Sequence, residues 1–153
     1  MSNLATWEDT MRKICKGVGV AAAALTLAVT LPASAEADTL QPSCSTTGAN
    51  GTVTVPGFSH KATYIVVALD LYDSLADGHH VRIRLITKDA NKNYTYWPWH
   101  ADYDGKGSSK EWNTSAKDSN GFINVAAQVA RFDGDNLLNS CTAWALGQTP
   151  LHR

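Results

Sequence analysis

The sequence predicts an all-β protein, a small antiparallel β-sandwich of about seven strands with one disulfide. Three observations carry this. Short β-branched and aromatic runs recur with turn residues between them, and no segment keeps a capped 3.6-residue apolar period. Once an N-terminal export segment is set aside, two cysteines remain, Cys44 and Cys141, one near each end of the chain.

Residues 1–35 read as a secretory signal peptide. Arg12, Lys13 and Lys16 precede the apolar run "VGVAAAALTLAVTL" (18–31), which gives way to Ala33-Ser34-Ala35. That run is shorter than the roughly 20 residues a spanning helix needs, so the expected mature chain is soluble and secreted, with no membrane span. Translation from Met11 would give a compact Met-Arg-Lys start without Glu8 and Asp9.

Residues 36–51, "EADTLQPSCSTTGANG", are polar and small, and are expected to form an extended N-terminal segment tied down at Cys44. The sandwich domain is expected over 52–148, with a short tail over 149–153. Its strands are expected at Thr52–Val55, Tyr64–Tyr72, Val81–Lys88, Tyr94–Trp99, a short stretch near Glu111–Thr114, Phe122–Phe132 and Cys141–Leu146. In "VRIRLITK", Val81, Ile83 and Leu85 share one face, and Arg82 and Arg84 share the other. Turns are expected at Pro56-Gly57, Asp77-Gly78, Asp104-Gly105, Asn120-Gly121 and Asp133-Gly134. An immunoglobulin-type domain is not indicated, because Cys44 is expected to precede the first strand.

Cys15 falls within the signal, so Cys44 and Cys141 are expected to form one disulfide enclosing nearly the whole domain. Removing Arg12, Lys13 and Lys16 from 13 basic residues, and Glu8 and Asp9 from 14 acidic ones, leaves a weakly acidic mature chain. That balance argues against a nucleic-acid partner, which would require a basic stripe.

Signatures of catalysis are weak. The chain has no GxSxG elbow, and "GKGSSKEW" (105–112) lacks the glycines of a phosphate loop. His79-His80 reads as a pair of solvated loop residues, since neighbours in an extended chain point to opposite faces. Asp102-Tyr103-Asp104-Gly105 starts like a calcium loop, but Lys106 stands at the next ligand position. No cofactor, metal or catalytic residue is expected. The alternative is a carbohydrate-binding or glycan-hydrolysing protein, using Trp97, Trp99 and Glu111, with Asp102 or Asp104 as second carboxylate and Trp112 alongside.

The stretch "NYTYWPWHADY" (93–103) concentrates Tyr94, Tyr96, Trp97, Trp99 and Tyr103. Strand alternation would send Tyr94 and Tyr96 to one side, and Trp97 and Trp99 to the other. Pro98 cannot donate to a ladder and places the segment at a sheet edge or end. Tyr and Trp are preferred interface anchors, so Tyr94, Tyr96, Trp97, Trp99, Tyr103 and Trp112 are the candidate partner-binding residues. The 36–51 segment is a second candidate contact, able to be donated to a partner's groove.

The signal ending in Ala33-Ser34-Ala35, the Cys44 and Cys141 pair, and the segments "GTVTVPGF", "YDSLADG" and "WNTSAKDSNGFINVAAQVARF" resemble small two-cysteine secreted proteins of streptomycetes. Within that group the chain is most similar to the adaptor subunits of umbrella toxin particles, over residues 44 to about 146. The resemblance implies a non-enzymatic extracellular protein serving antibacterial competition. It also implies two secreted partners, a large toxin polypeptide and a lectin subunit.

Overall fold

The computed structural model describes residues 38–146; the expected signal peptide, residues 36–37 and the tail from 147 onward lie outside the described residues. The protein is all-β, as expected, and every strand pairing is antiparallel. In chain order the strands are β1 Asp38–Leu40, β2 Ser43–Thr46, β3 Ala49–Phe58, β4 Ala62–Asp73, β5 His80–Asp89, β6 Tyr94–Tyr96, β7 His100–Asp102, β8 Ser109–Asp133 and β9 Asn136–Trp144. Among the described residues no helix is long and apolar enough to cross a membrane.

One strand organises the rest. The first part of β8 pairs with β4, from Tyr72↔Ser109 to Tyr64↔Lys117, and its second part pairs with β5 and β9. The chain turns the corner between the two parts at Gly121, whose φ of 75° lies in the left-handed region that favours glycine. A Cβ there would stand 2.5 Å from the carbonyl oxygen of Lys61, so the corner seats directly on the backbone joining β3 to β4. Lys61 donates its N–H to the Phe122 carbonyl, and Ala90 donates to the Gly121 carbonyl. Asn120-Gly121, expected as a turn between separate strands, is therefore a bend inside one strand. It fits a turn dipeptide because the bend makes the same demand for positive φ.

The sheet folds over so that its two parts face each other. Gly51 of β3 lies against Ile83 of β5 and Val129 of β8, each side chain 2.8 Å from where a Cβ would stand. Strand alternation fills the space between: Val53 and Val55, then Ile65, Val67, Leu69 and Leu71, Val81, Ile83 and Leu85, and Val125, Ala127 and Val129 are all buried in one cluster. The disulfide joins Cys44 on β2 to Cys141 on β9, with Cα atoms 6.0 Å apart and a sequence separation of 97. Thr46 Oγ1 donates to Asn139 Oδ1 at 3.0 Å beside it, so β2 and β9 are fastened twice.

Several expectations are corrected. Residues 38–51 are held by more than Cys44: β1 and β2 both pair with β3, and Thr47-Gly48, with Gly48 at φ 85°, connects β2 to it. Polar residues here mark an exposed edge strand rather than a loop. Cys44 consequently sits on a strand, which removes the reason given against an immunoglobulin-type arrangement. Pro56-Gly57 lies within β3, beyond its pairing with β4, and the turn itself falls at Ser59–Ala62, closed by Ala62 N–H to the Ser59 carbonyl. Two edges are each split by a proline, Pro42 between β1 and β2 and Pro98 between β6 and β7. With β1 and β2 added, the aromatic strand divided, and the expected strands near 111–114 and at 122–132 merged into β8, the described residues hold nine strands.

Gly121→Ala is expected to cost at least about 2 kcal/mol, from positive φ and backbone collision together, read as a lowered urea midpoint. Replacing Cys44 and Cys141 by alanine is expected to cost about 2–5 kcal/mol, checked by the same measurement against the oxidised protein.

Candidate functional site

The outward side of β5 and its neighbours carries the aromatic stretch. In β5, His80, Arg82, Arg84, Ile86 and Lys88 alternate away from the core, as the arginine spacing predicted. Register sets their neighbours: Phe132, Ala130, Gln128, Ala126 and Asn124 on β8, and Tyr96 beside Ile86 and Tyr94 beside Lys88 on β6. Ile86, Ala126, Ala130 and Phe132 are buried, yet none belongs to the core cluster on the other side of the sheet. Rings and guanidinium groups cover them.

That cover is a ladder of cations and rings. The Arg82 guanidinium carbon stands 4.1 Å from the Phe132 ring centre, and Arg84 stands 4.7 Å from Tyr96 and 4.3 Å from Trp99. Lys88 Nζ lies 5.2 Å from Tyr94, whose ring meets Trp144 edge-on at 5.5 Å. Trp99 meets Phe132 edge-on at 5.6 Å. Arg84 Nε donates to Gln128 Oε1 at 2.6 Å, and Arg82 Nη2 donates to the Gly134 carbonyl and to Asp135. Each guanidinium is held flat by a hydrogen bond and a ring, so the side chains of the face are ordered by the fold itself.

Pro98 decides which rings join it. Tyr94 and Tyr96 face outward, and Trp97 faces inward, where its Nε1 donates to the buried Thr87 Oγ1 at 3.0 Å and its ring packs on the core. Alternation would then send Trp99 inward as well. The ladder breaks at Trp97-Pro98-Trp99, and Trp99 emerges on the outer face against Arg84 and Phe132. Among the candidate residues, Tyr94, Tyr96, Trp99 and Tyr103 thus come together, with Tyr96 52% and Tyr103 67% exposed. Trp112 packs inward with Trp97, its ring 5.2 Å from His100. Arg82, Arg84, Lys88, Phe132 and Trp144 complete the face; the alternation in "VRIRLITK" signals the cations, whereas only the pairing register reveals the two rings.

His80 departs from the loop residue expected. It opens β5, is buried, and stacks between Tyr103 at 4.4 Å and Phe132 at 5.8 Å. Arg82 Nε donates to its Nε2 at 2.8 Å, which requires a lone pair on that nitrogen. Burial first, and the positive charge of Arg82 second, hold His80 below its ordinary value. Burial lowers His100 likewise.

Of the carboxylates considered for hydrolysis, Asp102 serves the fold. Asp102 is wholly buried; it accepts from Ser108 Oγ at 2.6 Å and the Asp104 N–H at 3.0 Å, and pairs with Lys110 at 3.2 Å. Burial would raise its pKa, but these hydrogen bonds and Lys110 outweigh that and hold it below the ordinary value. Glu111 is exposed on the outward side of β8, opposite Asp70 of β4. Trp97 and Trp99 fall on opposite sides of the sheet, so they do not form one platform. Asp89, buried at the end of β5, accepts from the Asn93 N–H at 2.7 Å, from Asn93 Nδ2 and from Asn120 Nδ2, both at 3.0 Å. It ties the approach to the aromatic stretch to the corner strand.

Comparison with protein-family models, with curated proteins and with solved structures finds no match to this chain.

His80 and His100 have folded pKa values below 6.5, so as pH falls through about 6.5 the unfolded chain takes up protons first. Stability is expected to fall between about pH 7.5 and pH 5.5, and His80→Gln, which keeps an acceptor for Arg82, is expected to flatten part of that slope. Urea midpoints across the range check both.

Proposed function

We propose that this is a secreted, non-enzymatic protein-binding module, an adaptor joining subunits of an extracellular antibacterial toxin complex. Its partners are other secreted proteins, and the contact to one of them is the outward face of β5, β6 and the second part of β8. The observation that carries the reading is the composition of that face. Tyr94, Tyr96, Trp99 and Tyr103 alternate with Arg82, Arg84 and Lys88, and Tyr, Trp and Arg are the residue types that anchor protein interfaces. The guanidinium groups already lie flat on rings, so binding orders few side chains. Three cations among apolar rings call for a partner surface with acidic side chains set between apolar ones. The two-cysteine pattern and its resemblance to umbrella toxin adaptors supply the extracellular setting.

The test is native purification from culture supernatant, with variants of the face. Stoichiometric co-purifying proteins are expected. Tyr96→Ala with Tyr103→Ala is expected to weaken their binding by about 10- to 30-fold with only a small drop in melting temperature, since both rings are more than half exposed. Trp97→Ala is expected instead to destabilise the fold by about 2–3 kcal/mol, because its ring fills the core side. A monomer retained on polysaccharide, with retention lost in the tyrosine variant, would replace this reading with a carbohydrate-binding one.

A further inference from the structure

The edges of the sheet are not protected alike. The edge formed by β1 and β2 is interrupted at Pro42, and the edge formed by β6 and β7 at Pro98. Strand β9 is fastened to β2 by the disulfide and by Thr46–Asn139. The first part of β8 has none of these devices. It pairs with β4 in unbroken register from Ser109 to Lys117, and among the described residues no strand pairs with its other side. Glu111, Asn113, Thr114, Ser115 and Lys117 are all exposed along it. A straight, proline-free edge of this length is a template for a further strand.

We infer that this edge is the seat of a symmetric dimer, in which two copies pair the first part of β8 antiparallel about a two-fold axis at Thr114. Backbone geometry restricts the register. In an antiparallel ladder every second residue directs its N–H and C=O to one neighbour, so residues turned toward β4 are unavailable to a new strand. Two identical edges must match outward residue to outward residue, which puts the axis on a residue rather than between two. Centring on Asn113 sets Glu111 opposite Ser115 and Lys117 opposite Ser109; centring on Ser115 sets Lys117 opposite Asn113 and Glu111 opposite Ser119. Centring on Thr114 alone sets Glu111 opposite Lys117, twice by symmetry, and Lys110 opposite Asp118.

Within one copy these charges are poorly matched. Glu111 lies across from Asp70, a like charge, and among the described residues receives only a 3.4 Å hydrogen bond from Asn113. Lys117 lies across from Tyr64 and has no ion pair among the described residues. Lys110 is already held by Asp102 and Asp104, so Glu111 and Lys117 decide the register. A second copy supplies each with its missing counter-charge. The dimer edge lies on the first part of β8, away from the ring-and-arginine face on β5 and the second part of β8, so both surfaces can be occupied together.

Sedimentation equilibrium of the mature, disulfide-bonded protein tests this. One strand per partner buries less than the roughly 1,200 Å² of a standard stable interface, so dimerisation is expected over about 1–100 µM and should weaken at high salt. Glu111→Lys alone and Lys117→Glu alone are each expected to raise the dimer dissociation constant about tenfold or more, and the double variant to restore it. Glu111→Lys removes the repulsion from Asp70, so loss of the dimer there does not come from a weakened fold; melting temperatures check this. A protein that stays monomeric across the range overturns the inference. So does a dimer unaffected by the single reversals, or one that the double reversal leaves broken.

Discussion

The passage of β8 through the corner at Gly121 is the constraint on which the rest of the structure depends. One strand serves as the edge of the first part of the sheet and as an inner strand of the second. Its bend therefore fixes how far apart the two parts sit and which residues meet between them. The left-handed backbone of Gly121 and its seat on the Lys61 carbonyl leave no room for a side chain. Hydrogen bonds from Lys61 and Ala90 across the corner, with Asn120 on the Asp89 carboxylate, satisfy polar groups that a bent strand would otherwise strand. The disulfide acts at the opposite side, where β2 and β9 meet. Corner and disulfide hold the folded-over sheet from its two sides, and side-chain burial fills what lies between.

The outer face follows from that architecture. Once the core lies on one side of β5, the alternate residues His80, Arg82, Arg84, Ile86 and Lys88 must lie on the other. Small residues at Ala126 and Ala130 on β8 leave a shallow floor, and Arg82 and Arg84 lie across it beside Phe132, Tyr96 and Trp99. A guanidinium stacks where an ammonium would demand water, which is why the arginines sit in the centre of the ladder and Lys88 at its end. Neutral His80 belongs to the same construction: its ring is a stacking surface for Tyr103 and its Nε2 an acceptor for Arg82. Protonation would remove the acceptor and set two cations side by side, so the physics that builds the face also makes it sensitive to acid.

Much of this was legible in the sequence, and the exceptions share a cause. Period-two patterning in "VRIRLITK" identifies both the strand and its two faces, and the positions of Cys44 and Cys141 identify the disulfide, because these signals are local or compositional. Three features are set by pairing partners that local pattern does not contain. Ser43–Thr46 looks like a loop by composition and becomes a strand because β3 offers it an edge. Asn120-Gly121 fits a hairpin turn as well as a bend, and only the continuation onto β5 decides between them. His80 looks solvated beside Asp77-Gly78 until Phe132 is brought opposite it in register and Tyr103 onto its ring. The rings themselves are evident in the sequence, but their sorting is not, since alternation holds only while the ladder is unbroken.

Pro98 links edge protection and the aromatic face in one residue. As an edge proline it ends the ladder between β6 and β7 and denies that edge to a new strand. Breaking the ladder also frees the chain from alternation, so Trp97 anchors to Thr87 on the core side while Trp99 turns out to Arg84. A continuous strand through 94–102 would have kept both tryptophans on the core side and left Arg84 with Tyr96 alone. The aromatic face and the blocked edge are thus two results of the same missing N–H. The first part of β8 has no such interruption, and it keeps the straight ladder and exposed charges that the Pro98 edge gives up.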